Sequence, residues 1–217
     1  MDITITPTAY EQAGVRYDRI TSVIHRTWPD PSLQDWRASV GKVRADRALR
    51  HGEKIGKLVD KQITGLLRGE PMKAKLLTAI EVKQAMRAFT EWHRLNPFQP
   101  TALQQTLLDP QARVGGTPDC LSDEGFDWKV TGQLGLPHLL QINRYWRLAE
   151  AQGISLRQYR LVRFDKILGI WEERILTPDG ILWDGQQITR ETLDQTFAYC
   201  LGLYRSWQVL TQQEVAA

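Results

Sequence analysis

Cysteine is nearly missing from this chain. Cys120 and Cys200 stand far apart and neither belongs to a CxxC pair. That argues against a thiolate metal site and a disulfide framework, and makes small buried core residues in a reducing compartment the expectation for both. No apolar run approaches the length of a membrane span. Met1-Asp2-Ile3-Thr4 lacks a basic segment leading into an apolar one, so no signal peptide is expected and a soluble, cytoplasmic protein is. There is no Gly-rich loop ending in Lys-Ser/Thr, so ATP-driven translocation is not encoded. GxSxG and HExxH are absent, and Gly115-Gly116-Thr117 is no dinucleotide fingerprint. Charge of one sign is not in excess either. The net charge is +3, so any contact with nucleic acid has to come from a local patch. No internal repeat, low-complexity stretch or long linker is present.

What is present fits one domain of ordinary size, residues 1–217, with a mainly helical part to residue 97 and a core of strands and helices from 98 onward. Eight Trp residues imply a large core and surfaces on which bases can stack. The first thirty residues read as extended and turn-rich. Ser32 is expected to cap a helix from Leu33 with Trp36 on its inner face, and a longer helix runs from Val43 to Leu67, closed by Arg68-Gly69. A third helix is expected from Pro71 to Asn96-Pro97, burying Leu76, Leu77, Ile80, Met86, Phe89 and Trp92. Three strands follow, at Thr101–Leu108, Ala112–Leu121 and Phe126–Val130, then a helix over Pro137–Ala151 stopped by Gly153. Strands over Ser155–Phe164 and Leu168–Leu176 and a helix from Thr189, its cap, to Leu210 complete the chain. This order predicts an α/β fold with a central mixed β-sheet flanked by helices and an N-terminal helical elaboration.

Three segments carry chemistry: Gly115-Gly116-Thr117-Pro118-Asp119, Phe126-Asp127-Trp128-Lys129 and Gln141-Ile142-Asn143-Arg144-Tyr145. Seven residues separate Asp119 from Asp127, room for a strand end, a turn at Ser122–Gly125 and a returning strand. Side chains alternate along a strand, so Asp127 and Lys129 share one face, which Asp119 can reach across the hairpin. Two carboxylates and an ammonium on one spot suit metal-assisted phosphodiester hydrolysis: oxygen ligands for a hard cation, Mg²⁺ or Mn²⁺, and a Lys near the attacking water. Glycines within a strand mark close backbone approach.

Pro118-Asp119, Asp127-Trp128-Lys129 and Gln141-x-x-x-Tyr145 resemble the motifs of the PD-(D/E)XK nuclease superfamily, in its RecB-like branch. Arg16-Tyr17-Asp18-Arg19-Ile20-Thr21-Ser22-Val23, Leu33-Gln34-Asp35-Trp36-Arg37 and Val40-Gly41 are similar to the start of phage exonucleases related to the mitochondrial genome maintenance exonuclease. The resemblance spans about residues 16 to 210. It implies a restriction-endonuclease-like core, Asp119, Asp127 and the backbone carbonyl of Trp128 as metal ligands, Lys129 as the catalytic lysine, and Gln141 and Tyr145 facing the site. Many members carry a His on the first long helix. Gly56 occupies that place here, and Asp60, four residues on and on the same helix face, is the candidate replacement, directly or through water. The alternative is weakened metal binding or lost catalysis.

The expected function is therefore a metal-dependent deoxyribonuclease. The resemblance favours an exonuclease acting on DNA ends, single strands preferred, in the cytoplasm of a bacterial or phage-infected cell, with a replication or recombination protein as a possible partner. The alternatives are a catalytically silent DNA-binding or assembly protein and an endonuclease of a defence system. Lys54, Lys57 and Lys61 on the first long helix, with Arg144, Arg147, Arg157 and Arg163, are the candidate phosphate contacts. Tyr17, Trp36 and Trp146 are candidate stacking residues, with buried packing favoured for each Trp. His138 reads as a satisfied surface His rather than a base.

Overall fold

The computed structural model describes residues 2–73 and 79–216. Its N-terminal segment is more regular than expected. It forms β1 (Thr4–Ile5), β2 (Ala9–Gln12) and β3 (Val15–Arg19), and then a helix, α1 (Ile20–Thr27). Ile20, Val23 and Ile24 of α1 are buried at helical spacing. The β-branched run that read as extended is thus helical because one face of it packs into the core.

Two helices follow, α2 (Pro31–Val40) and α3 (Lys42–Leu67). Asp30, not Ser32, caps α2, accepting the Leu33 N–H at 2.9 Å, with Pro31 as the first helical residue. Trp36 faces outward, 37% exposed, contrary to the expected inner placement. The end of α3 is as expected, with Gly69 at φ 79° just past it. The next helix, α4 (Ile80–Leu95), starts later than Pro71. Leu76 and Leu77 lie outside the described residues, Ile80 is exposed, and Met86, Phe89 and Trp92 are buried.

The expected meander is present, but its first two strands are each interrupted. Ala102–Leu103 (β4) and Leu107–Asp109 (β5) are separated at 104–106, and Val114–Gly116 (β6) and Cys120–Leu121 (β7) at 117–119, before β8 (Gly125–Lys129). After α5 (Leu136–Ala151) come β9 (Tyr159–Phe164) and β10 (Trp171–Leu176). A hairpin that sequence reading missed, β11 (Ile181–Trp183) and β12 (Gln186–Ile188), precedes α6 (Arg190–Ala216). Thr189 caps α6 as expected, its Oγ1 accepting the Thr192 N–H at 3.1 Å.

The interruptions divide the strands between two mixed sheets, ordered β1-β2-β3-β6-β5 and β10-β9-β8-β7-β4. The paired strands β4–β5 and β6–β7 pass from one sheet to the other at 104–106 and 117–119. Pairing is antiparallel except for β3 with β6 and β8 with β9. The β8–α5–β9 crossover explains the second exception, since parallel neighbours need a long connection. Helices cover both faces. Ile55, Val59 and Ile63 of α3 and Val82, Met86, Phe89 and Trp92 of α4 pack with Phe126, Trp128, Val162 and Phe164. Leu139, Leu140, Tyr145 and Leu148 of α5 pack with Tyr159, Leu161 and Leu193 on the other side. Cys120 and Cys200 are free, buried core residues, as expected. Among the described residues no helix is long and apolar enough to cross a membrane.

Candidate active site

Asp119 projects from the interruption between β6 and β7. Asp127 and Lys129 stand on β8, which pairs in parallel with β9 from Gly125 opposite Tyr159 to Lys129 opposite Arg163. Strand alternation then assigns the faces. Phe126 and Trp128 enter the core under α3 and α4, while Asp127 and Lys129 turn toward α5. The three expected residues are brought together. Lys129 Nζ lies 2.6 Å from Asp127 Oδ2, and Asp119 Oδ2 accepts the backbone N–H of Trp128 at 2.9 Å.

Gln141 and Tyr145, one turn apart on α5, face the same spot. The Gln141 amide donates to Asp127 Oδ1 at 3.1 Å and to the Tyr145 hydroxyl at 3.0 Å. It therefore engages the carboxylate directly rather than Lys129. Tyr145 comes this close because Gly116 has no side chain. A Cβ there would lie 2.8 Å from Tyr145 Cδ1 and 3.1 Å from Leu148 Cδ1. Beside it, the hydroxyls of Tyr10, Thr117 and Thr106 form a chain, with Thr117 Oγ1 3.1 Å from Tyr10 and 3.2 Å from Thr106.

The electrostatics are those of a largely buried cluster of two carboxyls and one ammonium. Asp127 is 1% exposed. Burial, then the neighbouring Asp127 charge, holds the Asp119 carboxyl well above the usual carboxylate range. Burial also raises Asp127, against the pull of Lys129. Burial alone would lower Lys129, but Asp127 and Asp119 outweigh it and the ammonium keeps its proton. Tyr145 is pushed up by burial and the same two carboxylates, so it stays a phenol.

Asp60 lies near enough to add to this field, yet its oxygens are engaged elsewhere. Oδ1 accepts the Trp128 indole N–H at 2.9 Å and Oδ2 the Gln104 amide at 2.7 Å. The face of β8 that meets α3 is the Trp128 face. Among the described residues no three of His, Cys, Asp and Glu gather as a metal-ligand cluster. Asp60 thus reaches the carboxylate pair through Trp128 and Gln104. Gly56, a turn earlier, has nothing within 4 Å of where its Cβ would be.

The cations expected to meet phosphate divide into two sets. Arg144 is only 12% exposed and lies between Asp109 and Asp194 at 3.6 and 3.5 Å, over the Phe197 ring. Arg163, 11% exposed, is held by Glu172 and Asp165, both at 2.9 Å. Arg147 is bound to Asp194 and Glu150, and Arg157, though exposed, to Asp123 and Glu124. These guanidiniums are all engaged by carboxylates of the fold. Lys54, Lys57 and Lys61 are exposed along α3, Lys57 paired with Glu53 one turn back at 2.5 Å. Trp146 is buried beneath Arg190, whose guanidinium sits 3.9 Å above the ring, and Tyr17 is buried as well. Neither is free to stack on a base. His138 Nδ1 accepts the Gly135 N–H at 2.9 Å. Burial and the nearby Lys129 hold its pKa down to about 4, so it is a neutral residue that closes the start of α5.

No model of a known protein family matches the chain, and no curated protein matches it.

Proposed function

We propose that the chain is a metal-dependent deoxyribonuclease, acting on DNA ends as an exonuclease with single strands preferred. The observation that carries this reading is the convergence of Asp119, Asp127 and Lys129 in one cluster, with Gln141 and Tyr145 on its α5 side.

The donor set fits a hard divalent cation. Burial raises both carboxyls, which a bound cation would counter, and Asp127 Oδ2 lies 2.6 Å from the Lys129 ammonium. Two carboxylates are the usual protein share of a Mg²⁺ site, water and substrate phosphate completing it. Asp119 and Asp127, with the Trp128 carbonyl, would hold Mg²⁺ or Mn²⁺, which supplies Lewis-acid stabilisation of charge on the phosphoryl oxygens.

The chain's own groups do the rest. Lys129 keeps its proton and so acts as a donor: it orients the attacking water and offsets charge on a phosphate oxygen. Gln141 fixes the rotamer of Asp127, and Tyr145 fixes Gln141. Water adds to phosphorus and releases one proton to solvent, the bond to the leaving oxygen breaks, and that oxygen takes a proton from solvent, leaving a phosphate monoester and a hydroxyl. The exposed Lys54, Lys57 and Lys61 supply a basic stripe for the phosphate backbone.

The test is digestion of end-labelled linear single-stranded, linear duplex and closed circular DNA with Mn²⁺. Mononucleotide or short-oligonucleotide release from linear DNA alone is expected. Cutting of closed circles would make the protein an endonuclease, and no cutting of any form would make it a silent DNA-binding protein.

A further inference from the structure

Gln104 belongs to no motif, yet it stands at the interruption opposite Asp119 with φ 52°, the left-handed region that a residue with a Cβ rarely adopts. A glycine would sit there without strain. A glutamine held there points to a use for its side chain.

Four hydrogen bonds close a ring through it. The Gln104 N–H donates to the Asp119 carbonyl at 3.1 Å. Its amide donates to Asp60 Oδ2 at 2.7 Å; Asp60 Oδ1 accepts the Trp128 indole N–H at 2.9 Å. The Trp128 backbone N–H returns to Asp119 Oδ2 at 2.9 Å. Asp119 is thus gripped at its backbone and at its side chain by the two ends of one chain of contacts. A carboxylate only accepts, so the Gln104 nitrogen, not its oxygen, faces Asp60. The ring also ties α3 to two strands. It holds Asp119 where β6 and β7 are interrupted.

We infer that Gln104 and Asp60 are positioning residues for Asp119, acting through Trp128, and that Asp60 acts by its geometry and not as a cation ligand. This rests on the nuclease reading for its consequence in catalysis, but the ring itself can be tested without it.

The experiment compares wild type with Gln104→Gly, Asp60→Ala and Asp60→Asn in three measurements: exchange of the Trp128 backbone amide followed by ¹H–¹⁵N NMR in metal-free protein, Mn²⁺ affinity by calorimetry, and single-turnover cleavage. Gln104→Gly suits the backbone, so its melting temperature should not fall. Its Trp128 amide should nevertheless exchange faster, and Mn²⁺ affinity and cleavage should drop about 10–100-fold, as when the support of a metal ligand is removed. Asp60→Ala should behave alike. Asp60→Asn should recover most of that loss, because Oδ1 can still accept the indole N–H and Nδ2 can donate to a turned-over Gln104 amide. Unchanged exchange at Trp128 in Gln104→Gly overturns the proposal. So does an Asp60→Asn variant as damaged as Asp60→Ala, which would mean that the charge matters and Asp60 is a ligand. If wild type neither binds Mn²⁺ nor cuts DNA, the nuclease reading fails, and the exchange measurement alone decides the ring.

Discussion

Gly115 and Gly116 are neighbours on β6 that face opposite ways, which makes Gly116→Ala an informative perturbation with its own control. An Ala methyl at 116 would lie 2.8 Å from Tyr145 Cδ1 and 3.1 Å from Leu148 Cδ1, against about 3.5–4.0 Å for comfortable carbon contacts. Both neighbours are buried, so the ring must move. One methyl forced into a packed core costs about 1–3 kcal/mol. Replacing a strand glycine returns roughly 0.5–1 kcal/mol. The net loss of up to about 2.5 kcal/mol lowers the melting temperature of a chain this size by up to roughly 10 °C. At 115 the methyl would lie 2.7 Å from both Leu108 Cδ2 and Tyr10 Cδ2, on the other face. Gly115→Ala should therefore cost a similar amount of stability. Only Gly116→Ala displaces Tyr145, whose hydroxyl shares the Gln141 amide with Asp127. A misplacement near 1 Å there should slow cleavage on the order of 100-fold. Thermal melts of both variants, with single-turnover cleavage well below either melting point, make the comparison. Equal cleavage by the two variants would refute the claim that Tyr145 and Gln141 position Asp127.

Lys129→Ala should lose cleavage yet keep Mn²⁺ binding by calorimetry, because the ammonium acts on water and phosphate; wild-type turnover would remove it from the mechanism. Asp119→Asn should abolish cleavage and raise the melting temperature of metal-free protein at pH 7. Its carboxyl is raised on folding, so ionisation opposes the fold once pH climbs above the unfolded value; the gap between variant and wild type should widen from about pH 4 upward. A constant gap across a pH series of melts would contradict this. Arg144→Ala should cost roughly 3 kcal/mol by denaturant unfolding, since it leaves Asp109 without this partner; weakened DNA affinity with unchanged stability would instead make Arg144 a phosphate contact. Gly56→Ala, in open space within α3, should stabilise by up to about 1 kcal/mol; a lower melting temperature would reveal packing at that position.

How far the residues alone led depended on how local the deciding interaction was. The bounds of α3, the end of α5 and the Thr189 cap were legible because caps and helical spacing act within a few residues. Asp127 and Lys129 were placed together by alternation on one strand, a rule of two-residue reach. Helix α1 was not legible, because its β-branched run becomes helical only when Ile20, Val23 and Ile24 find α5 and α6. The β11–β12 hairpin had a signal that went unread: Asp184-Gly185, both at positive φ, is a two-residue turn between short strands. Gln104-Gln105-Thr106, polar within an otherwise apolar stretch, likewise marked the strand interruption that positions Asp119. The ion pairs of Arg144 could not be read, since Asp109 and Asp194 come from other elements, whereas Asp165 lies only two residues from Arg163. Asp60 illustrates the same limit. Its helix face was legible, but whether that face meets Asp127 or Trp128 depends on which side of β8 carries α3.

The central claim is that Asp119, Asp127 and Lys129 form a metal-dependent hydrolytic centre. Single-turnover cleavage of end-labelled linear single-stranded DNA, titrated with Mn²⁺, with wild type and Asp127→Asn side by side, tests it most directly. Wild type should cut with a saturable dependence on Mn²⁺ and stop when the metal is chelated, and Asp127→Asn should not cut at any concentration. Cleavage that ignores Mn²⁺, or that survives in Asp127→Asn at the wild-type rate, would contradict the account.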